Sequence, residues 1–248
     1  MNVLLYALSI FSVTAFGFFS QSTGESTLPV TVCKRNSADY STCLKHALEE
    51  AWPRFVKGLP EFDFPALDPL FLERATAVLN LGEIHGEITA SNLTAIGLSK
   101  THFSDIRTHF LDDIFRLEID AEVPWLYVES AVQANSTLSV FRITGKGHFN
   151  ETLTEVRGTW DMTGHVVNDT WIVEHFRITP SVGKLKIYFD NLLEQGKEFN
   201  DVVVNFINEY WPALYRIVLP ILADVYDPWL VDFPNKFFSK IKFSEIFP

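Results

Sequence analysis

The chain has 248 residues, 47% of them hydrophobic and 14% aromatic, and its 20 basic against 31 acidic side chains leave a formal net charge of −11. That balance excludes nucleic acid as a partner, because binding it depends on basic patches that neutralise phosphates. The length is enough for a sizeable apolar core in a single domain.

Met1 to Ser20 carries no charged side chain and is apolar from Val3 to Phe19, interrupted only by small polar groups. With small residues at Ala15 and Gly17 it reads as a leader cut after Gly17, with Gly24 as a later alternative, leaving residues 18–248 as one mature domain. The competing reading is a membrane anchor at the short limit for spanning a bilayer. Beyond it no apolar run is long enough to cross, so no stable membrane insertion is expected. Cys33 and Cys43, the two cysteines of the chain, read as one disulfide closing a short loop in an oxidising compartment. A metal site would need further Cys or His at finger-like spacing, and His46 has none close by. Four sequons, at Asn92, Asn135, Asn150 and Asn168, exceed what chance supplies and mark expected glycosylation sites on a secreted chain.

From Asp39 to Val56, Tyr40, Leu44, Ala47, Leu48, Ala51, Trp52 and Phe55 recur at helical spacing and form one apolar face. Pro60, Pro65 and Pro69 then forbid regular helix, so residues 57–70 are expected as an extended strap held by Leu59, Phe62, Phe64 and Leu67. From about Thr76 to Phe189 the period changes to two. Phe115, Leu117, Ile119, Ala121 and Val123 alternate with charged residues, as do Val156, Gly158, Trp160 and Met162 with Arg157, Thr159 and Asp161. One dry and one wet face mean an antiparallel sheet. Asn168-Asp169 fits a hairpin turn, and Gly145 with Gly147 is expected to mark a bulge or bend. This alternation alone also suits a sandwich or a lipocalin-like barrel.

The last third argues against both. Phe199, Val202, Val203, Phe206, Ile207, Tyr210, Leu214, Ile217, Val218, Ile221, Leu222 and Val225 recur at helical spacing between about Lys197 and Val231. Pro212, Pro220 and Pro228 are expected to bend or break this helix. A helix apolar over more than one stripe has to be enclosed, and a long curling sheet supplies the enclosure.

These pieces, taken in order, resemble the takeout and juvenile-hormone-binding proteins of insects, members of the tubular lipid-binding superfamily. The likeness runs through Cys33 and Cys43-Leu44, Lys57-Gly58-Leu59-Pro60, Pro65-Ala-Leu-Asp68-Pro69-Leu70, Ile143-Thr-Gly145-Lys-Gly147-His-Phe149, Val204-Asn205-Phe206-Ile207-Asn208-Glu209-Tyr210-Trp211 and Phe243-Ser-Glu-Ile-Phe247. It implies an α+β fold, a long C-terminal helix wrapped by a strongly curved antiparallel sheet, with an internal hydrophobic tunnel between them. It also implies carriage of a terpenoid hormone, fatty acid or similar lipid, linked to hormone signalling, feeding, circadian or chemosensory physiology. The juvenile-hormone carriers resemble a version with a second disulfide, so the single pair here points to the takeout-like branch.

The dry strand faces and the helix name the expected lining: Phe115, Leu117, Val128, Phe141, Ile143, Trp160, Met162, Trp171, Phe176, Ile178, Val203, Phe206, Ile207, Tyr210 and Leu214. Roughly half of these are expected to be ordinary core. No HExxH, nucleophile elbow, P-loop or dinucleotide fingerprint occurs, so no catalytic residue, cofactor or metal is expected. His102 and His109, seven apart, lack a third ligand. The expected chain is a secreted, monomeric, non-enzymatic carrier of a hydrophobic small molecule. A cell-surface receptor is a further expected partner, and the alternative is a recognition protein that binds a receptor or lipid headgroup by its surface.

Overall fold

The alternating segments form seven strands, all paired antiparallel, in a computed structural model that describes residues 30–81, 84–138, 141–190 and 196–248. The expected leader and its cleavage site lie outside the described residues. Helix α1 (Tyr40–Lys57) is followed by β1 (Leu70–Leu81), β2 (Ile84–Ile96), β3 (His102–Leu111), β4 (Ile114–Leu138), β5 (Phe141–Val167), β6 (Thr170–Ser181) and β7 (Lys184–Phe189). Helices α2 (Lys197–Leu230), α3 (Asp232–Phe238) and α4 (Phe243–Ile246) complete the chain. The sheet order is β1-β2-β4-β5-β6, with β3 also paired to β4 and β7 to β5.

Strands β4 and β5, of 25 and 27 residues, would each span roughly 80 Å if straight. They are the spine, and their outer neighbours change midway. The first half of β4 pairs with β3 and the second with β2; β5 pairs with β7 and then β6. At this waist the inward parity changes too. On β4 the buried set passes from Phe115, Leu117, Ile119, Ala121 and Val123 to Ser130, Ala134 and Ser136. On β5 it passes from Leu153 to Met162, with Glu155 between them at φ 54. A left-handed residue moves the strand by one pleat. Because both strands switch between Val123↔Val156 and Trp125↔Thr154 without losing register, the two halves turn their apolar side to one interior. The opposite face carries charge ladders: Arg107 pairs with Asp120 at 2.6 Å and Arg116 with Asp161 at 2.7 Å.

Gly145 and Gly147 sit in unbroken register with Ala134 and Val132, not at the expected bulge. The irregularities fall instead between Ser91 and Thr94, Phe103 and Asp105, and Thr163 and Gly164. Asn168 and Asp169, at φ 51 and 63, form the expected hairpin turn with two left-handed residues. His102 and His109 lie on a strand, the latter bonded to Glu118 at 2.8 Å. Asn92, Asn135 and Asn168 are exposed and Asn150 is half-buried.

Helix α1 matches its expected span within a residue, and Cys33 and Cys43 are bonded at its start. The Trp52 indole donates to the Leu98 carbonyl at 3.0 Å, and its ring meets Phe103 edge-on at 5.1 Å. The strap is tighter than expected. Pro60 opens a 3-10 turn through Phe62, and Asp63 at φ 54 returns the chain so that Leu59 bridges Phe64. Proline at the first turn position needs no donor and pre-sets the backbone, so a turn wins over an extended path. All four expected strap anchors, Leu59, Phe62, Phe64 and Leu67, are buried.

Of the bends or breaks expected at Pro212, Pro220 and Pro228, no break occurs: α2 runs 34 residues through all three. Each proline is on an exposed position, so the carbonyls that lose a donor open toward water rather than into the core. Side chains also pin the helix region to the sheet's edges. Asn208 both donates to and accepts from the Ile187 backbone at 2.8 Å, and Asn200 donates to the Phe189 carbonyl at 2.7 Å. On β6, Asp227 accepts from the Phe176 amide at 2.6 Å, and Asn235 pairs with both Val173 backbone groups at 2.8 and 2.9 Å. These amides and carboxylate satisfy edge donors and acceptors that would otherwise recruit another strand. Enclosure of α2 is incomplete, because Phe199, Val202, Phe206, Tyr210 and Ile217 stay exposed.

Candidate functional site

Side chains from four directions converge under the first half of the spine without filling the space between them. The cavity measures about 270 Å³. Leu117 and Ile119 of β4, Trp160 and Met162 of β5, and Phe176 and Ile178 of β6 form its floor. Leu44, Ala47, Leu48, Trp52 and Phe55 of α1 form one wall, Phe64 and Leu67 of the strap another. Trp229 at the end of α2, with Phe233 and Phe237 of α3, closes the far side. Among the described residues no lining side chain is charged, and the one hydroxyl, that of Thr31, donates to Glu50 at 2.9 Å. The Trp52 indole N–H is already spent on Leu98. Such a surface has dispersion and water exclusion to offer, and a chain of CH₂ groups is the matching occupant.

Of the lining expected from the sequence, the structure brings Leu117, Trp160, Met162, Phe176 and Ile178 together on this cavity. Phe115 and Trp171, each 1% exposed, pack instead into a solid plug. Their rings meet those of Phe247 and Phe238 at a tilt, with centroids 4.7 and 4.6 Å apart, because α3 and the 243–247 segment fold back beneath the sheet. Val128 packs against the main core, while Val203 and Ile207 join a second cluster around Ile187, Phe189 and Val204. Leu214 is half-buried on α2. Phe206 and Tyr210, 52% and 50% exposed, do not close over the cavity: the α2 face that carries Asn200, Val204 and Asn208 is the one drawn to β7, and they lie around the helix from it. Phe141 and Ile143 are in β5, but their side chains lie outside the described set.

The α1 and strap walls were missed as lining. Their periodicity identified them as buried, but periodicity does not separate a residue facing a neighbour from one facing a void.

Farther along α2 the interior holds a polar group. Glu151 lies on β5 between Phe149 and Leu153, opposite Val128 on β4 and Ile187 on β7. Burial among these side chains pushes its carboxyl up to about 7. Burial, with the nearby Glu151 charge, also pushes up the Tyr226 phenol and raises Tyr215 to about 12. The Tyr226 side chain keeps 47% of its surface open. Its ring centroid lies 6.5 Å from that of Trp229, a residue of the cavity wall.

The raised Glu151 value fixes a stability effect. Folding favours the neutral acid, so the stabilisation of the folded state by proton uptake is complete below the ordinary value of 4.5 and is lost as pH rises to about 7. Glu151→Gln, which has no charge to desolvate, should therefore melt higher than the unmodified chain at pH 8, with the gain shrinking as the pH falls to 4.5. A melting-temperature series across that range checks it; a gain independent of pH would contradict it.

Among the described residues no group of three His, Cys, Asp or Glu is placed to hold a metal ion, and no helix is long and apolar enough to cross a membrane. Compared with known proteins, the chain matches the family model for the haemolymph juvenile hormone binding protein (JHBP) over residues 10–248. The crystal structure of Epiphyas postvittana Takeout 1 is similar to it at a TM-score of 0.67 and 20% identity, covering 88% of this chain and 99% of that one. No curated protein matches. Since the family model spans nearly the whole chain, including the disulfide, the curled sheet and the long helix, the chain belongs to the haemolymph juvenile hormone binding protein family.

Proposed function

We propose that the chain is a secreted carrier, freed of residues 1–17, that holds a lipophilic small molecule in the cavity between α1, the sheet and the end of α2. The observation that carries this reading is a cavity of about 270 Å³ with no charged side chain among its described lining residues, near the lower end of the roughly 300–1,000 Å³ usual for small-molecule sites. That size suits one hydrocarbon chain or a terpenoid. Family membership supports the ligand class. The disulfide and four sequons support secretion, with glycan expected first on the exposed Asn92, Asn135 and Asn168.

The experiment is displacement. The environment-sensitive dye 1-N-phenylnaphthylamine should brighten in the purified chain and be driven out by terpenoids or long-chain lipids. A chain that neither takes up the dye nor binds these lipids is not a carrier.

The apolar stripe of Phe199, Val202, Phe206, Tyr210 and Ile217 on α2 favours a second reading, recognition of a receptor or lipid surface. Polar replacement of Val202 and Phe206 leaves dye uptake intact on the carrier reading and abolishes cell-surface binding on the other.

A further inference from the structure

We propose that Glu151 is the polar anchor of the ligand, selecting a long-chain molecule whose head donates a hydrogen bond, an alcohol or an amine, over the corresponding acid or ester. The proposal deepens the carrier reading and rests on it.

Strand alternation supplies the geometry. Asn150 and Thr152 pair with Tyr188 and Lys186 of β7 and share the outer pleat, so Glu151 turns inward with Phe149 and Leu153. Its cross-strand neighbours on that face are Val128 and Ile187. No hydrogen bond or ion pair joins the carboxyl to another described residue. A carboxyl set among hydrocarbon without a partner is costly to keep, and such groups mark sites completed by something the chain does not provide.

On this proposal the route to it starts at the α2 end of the cavity. Tyr226 lies one helical turn before Trp229, the two rings are in contact, and Trp229 lines the cavity. A hydrocarbon tail in the cavity would leave it at Trp229, run along α2 past Tyr226 and bring its head to Glu151. The ionisable groups that face Glu151 are Tyr215 and Tyr226 of α2. Across β4 and β7 it meets Val128 and Ile187, while Glu129, Lys184 and Lys186 occupy the outer pleat. No cation is among these described residues, and the two phenols make no hydrogen bond to the carboxylate, so a donor on the ligand would complete it.

The chemistry of selection follows. Above pH 7 Glu151 is mainly ionised and accepts hydrogen bonds but donates none. An alcohol donates to it and an ammonium pairs with it. A carboxylic acid places two acids in one apolar site, where one has to keep its proton, and an ester brings acceptors alone.

The test uses the full secreted chain at pH 8 and displacement of 1-N-phenylnaphthylamine by four probes of equal chain length: hexadecanol, hexadecylamine, palmitic acid and methyl palmitate. Hexadecanol and hexadecylamine should displace the dye at concentrations about tenfold lower than the ester or the acid, the worth of one charge-assisted hydrogen bond. Glu151→Leu should compress the four to within about twofold while the dye still brightens, the sign of an intact interior. Equal displacement by all four in the unmodified chain, or a ranking that survives Glu151→Leu, overturns the anchor and leaves the carrier reading standing. If no probe displaces the dye, the carrier reading fails and the anchor falls with it.

Discussion

Asp227→Ala is expected to destabilise the fold by about 3 kcal/mol, because it strips a buried amide of its partner and unpins the end of α2. Asp227 is buried, accepts from the Phe176 amide at 2.6 Å and from His175 Nδ1 at 2.8 Å, and has Arg177 at 4.0 Å. The Phe176 N–H points out of the β6 edge, where no strand follows to receive it. A buried donor left unpaired costs about 1–3 kcal/mol, and a hydrogen bond to a charged acceptor adds a comparable amount. Asp227→Asn keeps an acceptor for the amide and should lose about half as much. Urea denaturation with an unchanged slope measures both; equal stability of all three chains would show that β6 does not depend on this pin.

Ala47→Phe should lower affinity for a lipid or for the dye by at least about tenfold without lowering the melting temperature. Ala47 is a buried residue on the α1 wall of the cavity. A ring built there enters empty space, gains dispersion contacts with the floor and occupies the volume a ligand needs. In a filled interior the same ring would instead be overpacked, at a cost of about 1–3 kcal/mol. The two outcomes have opposite signs in stability, so one variant distinguishes a cavity from a solid core independently of any choice of ligand.

How legible all this is in the sequence depends on whether the controlling interactions are local. The face of α1 follows from spacing, and Asn168-Asp169 turns where two residues that tolerate left-handed backbone meet between strands. The first half of β4 alternates cleanly because its charges fall on every second position. The waist is hidden: a glutamate at φ 54 gives no local sign, and each half of the strand reads as an ordinary half-buried strand. Continuity of α2 is equally hidden. Three prolines argue for breaks, and what holds the helix region down is Asn200, Asn208, Asp227 and Asn235 bonded to strand edges far away in sequence. Among the site residues, Leu117, Trp160, Met162, Phe176 and Ile178 were reachable from alternation. Phe115 and Trp171 alternate just as well, but the returning C-terminal phenylalanines fill the space beneath them. Glu151 is masked by its neighbours: within Asn150-Glu151-Thr152 the sequon draws attention to the asparagine, whereas the pleat sends the glutamate inward.

The central claim is that the interior is built to be occupied. Its most direct test is native mass spectrometry of the chain secreted from eukaryotic cells and purified without detergent, followed by solvent extraction. The account predicts a population heavier than the glycosylated chain by the mass of one small lipid, released on collisional activation and recovered in the extract. A bare chain that also fails to gain mass when incubated with hexadecanol would contradict it.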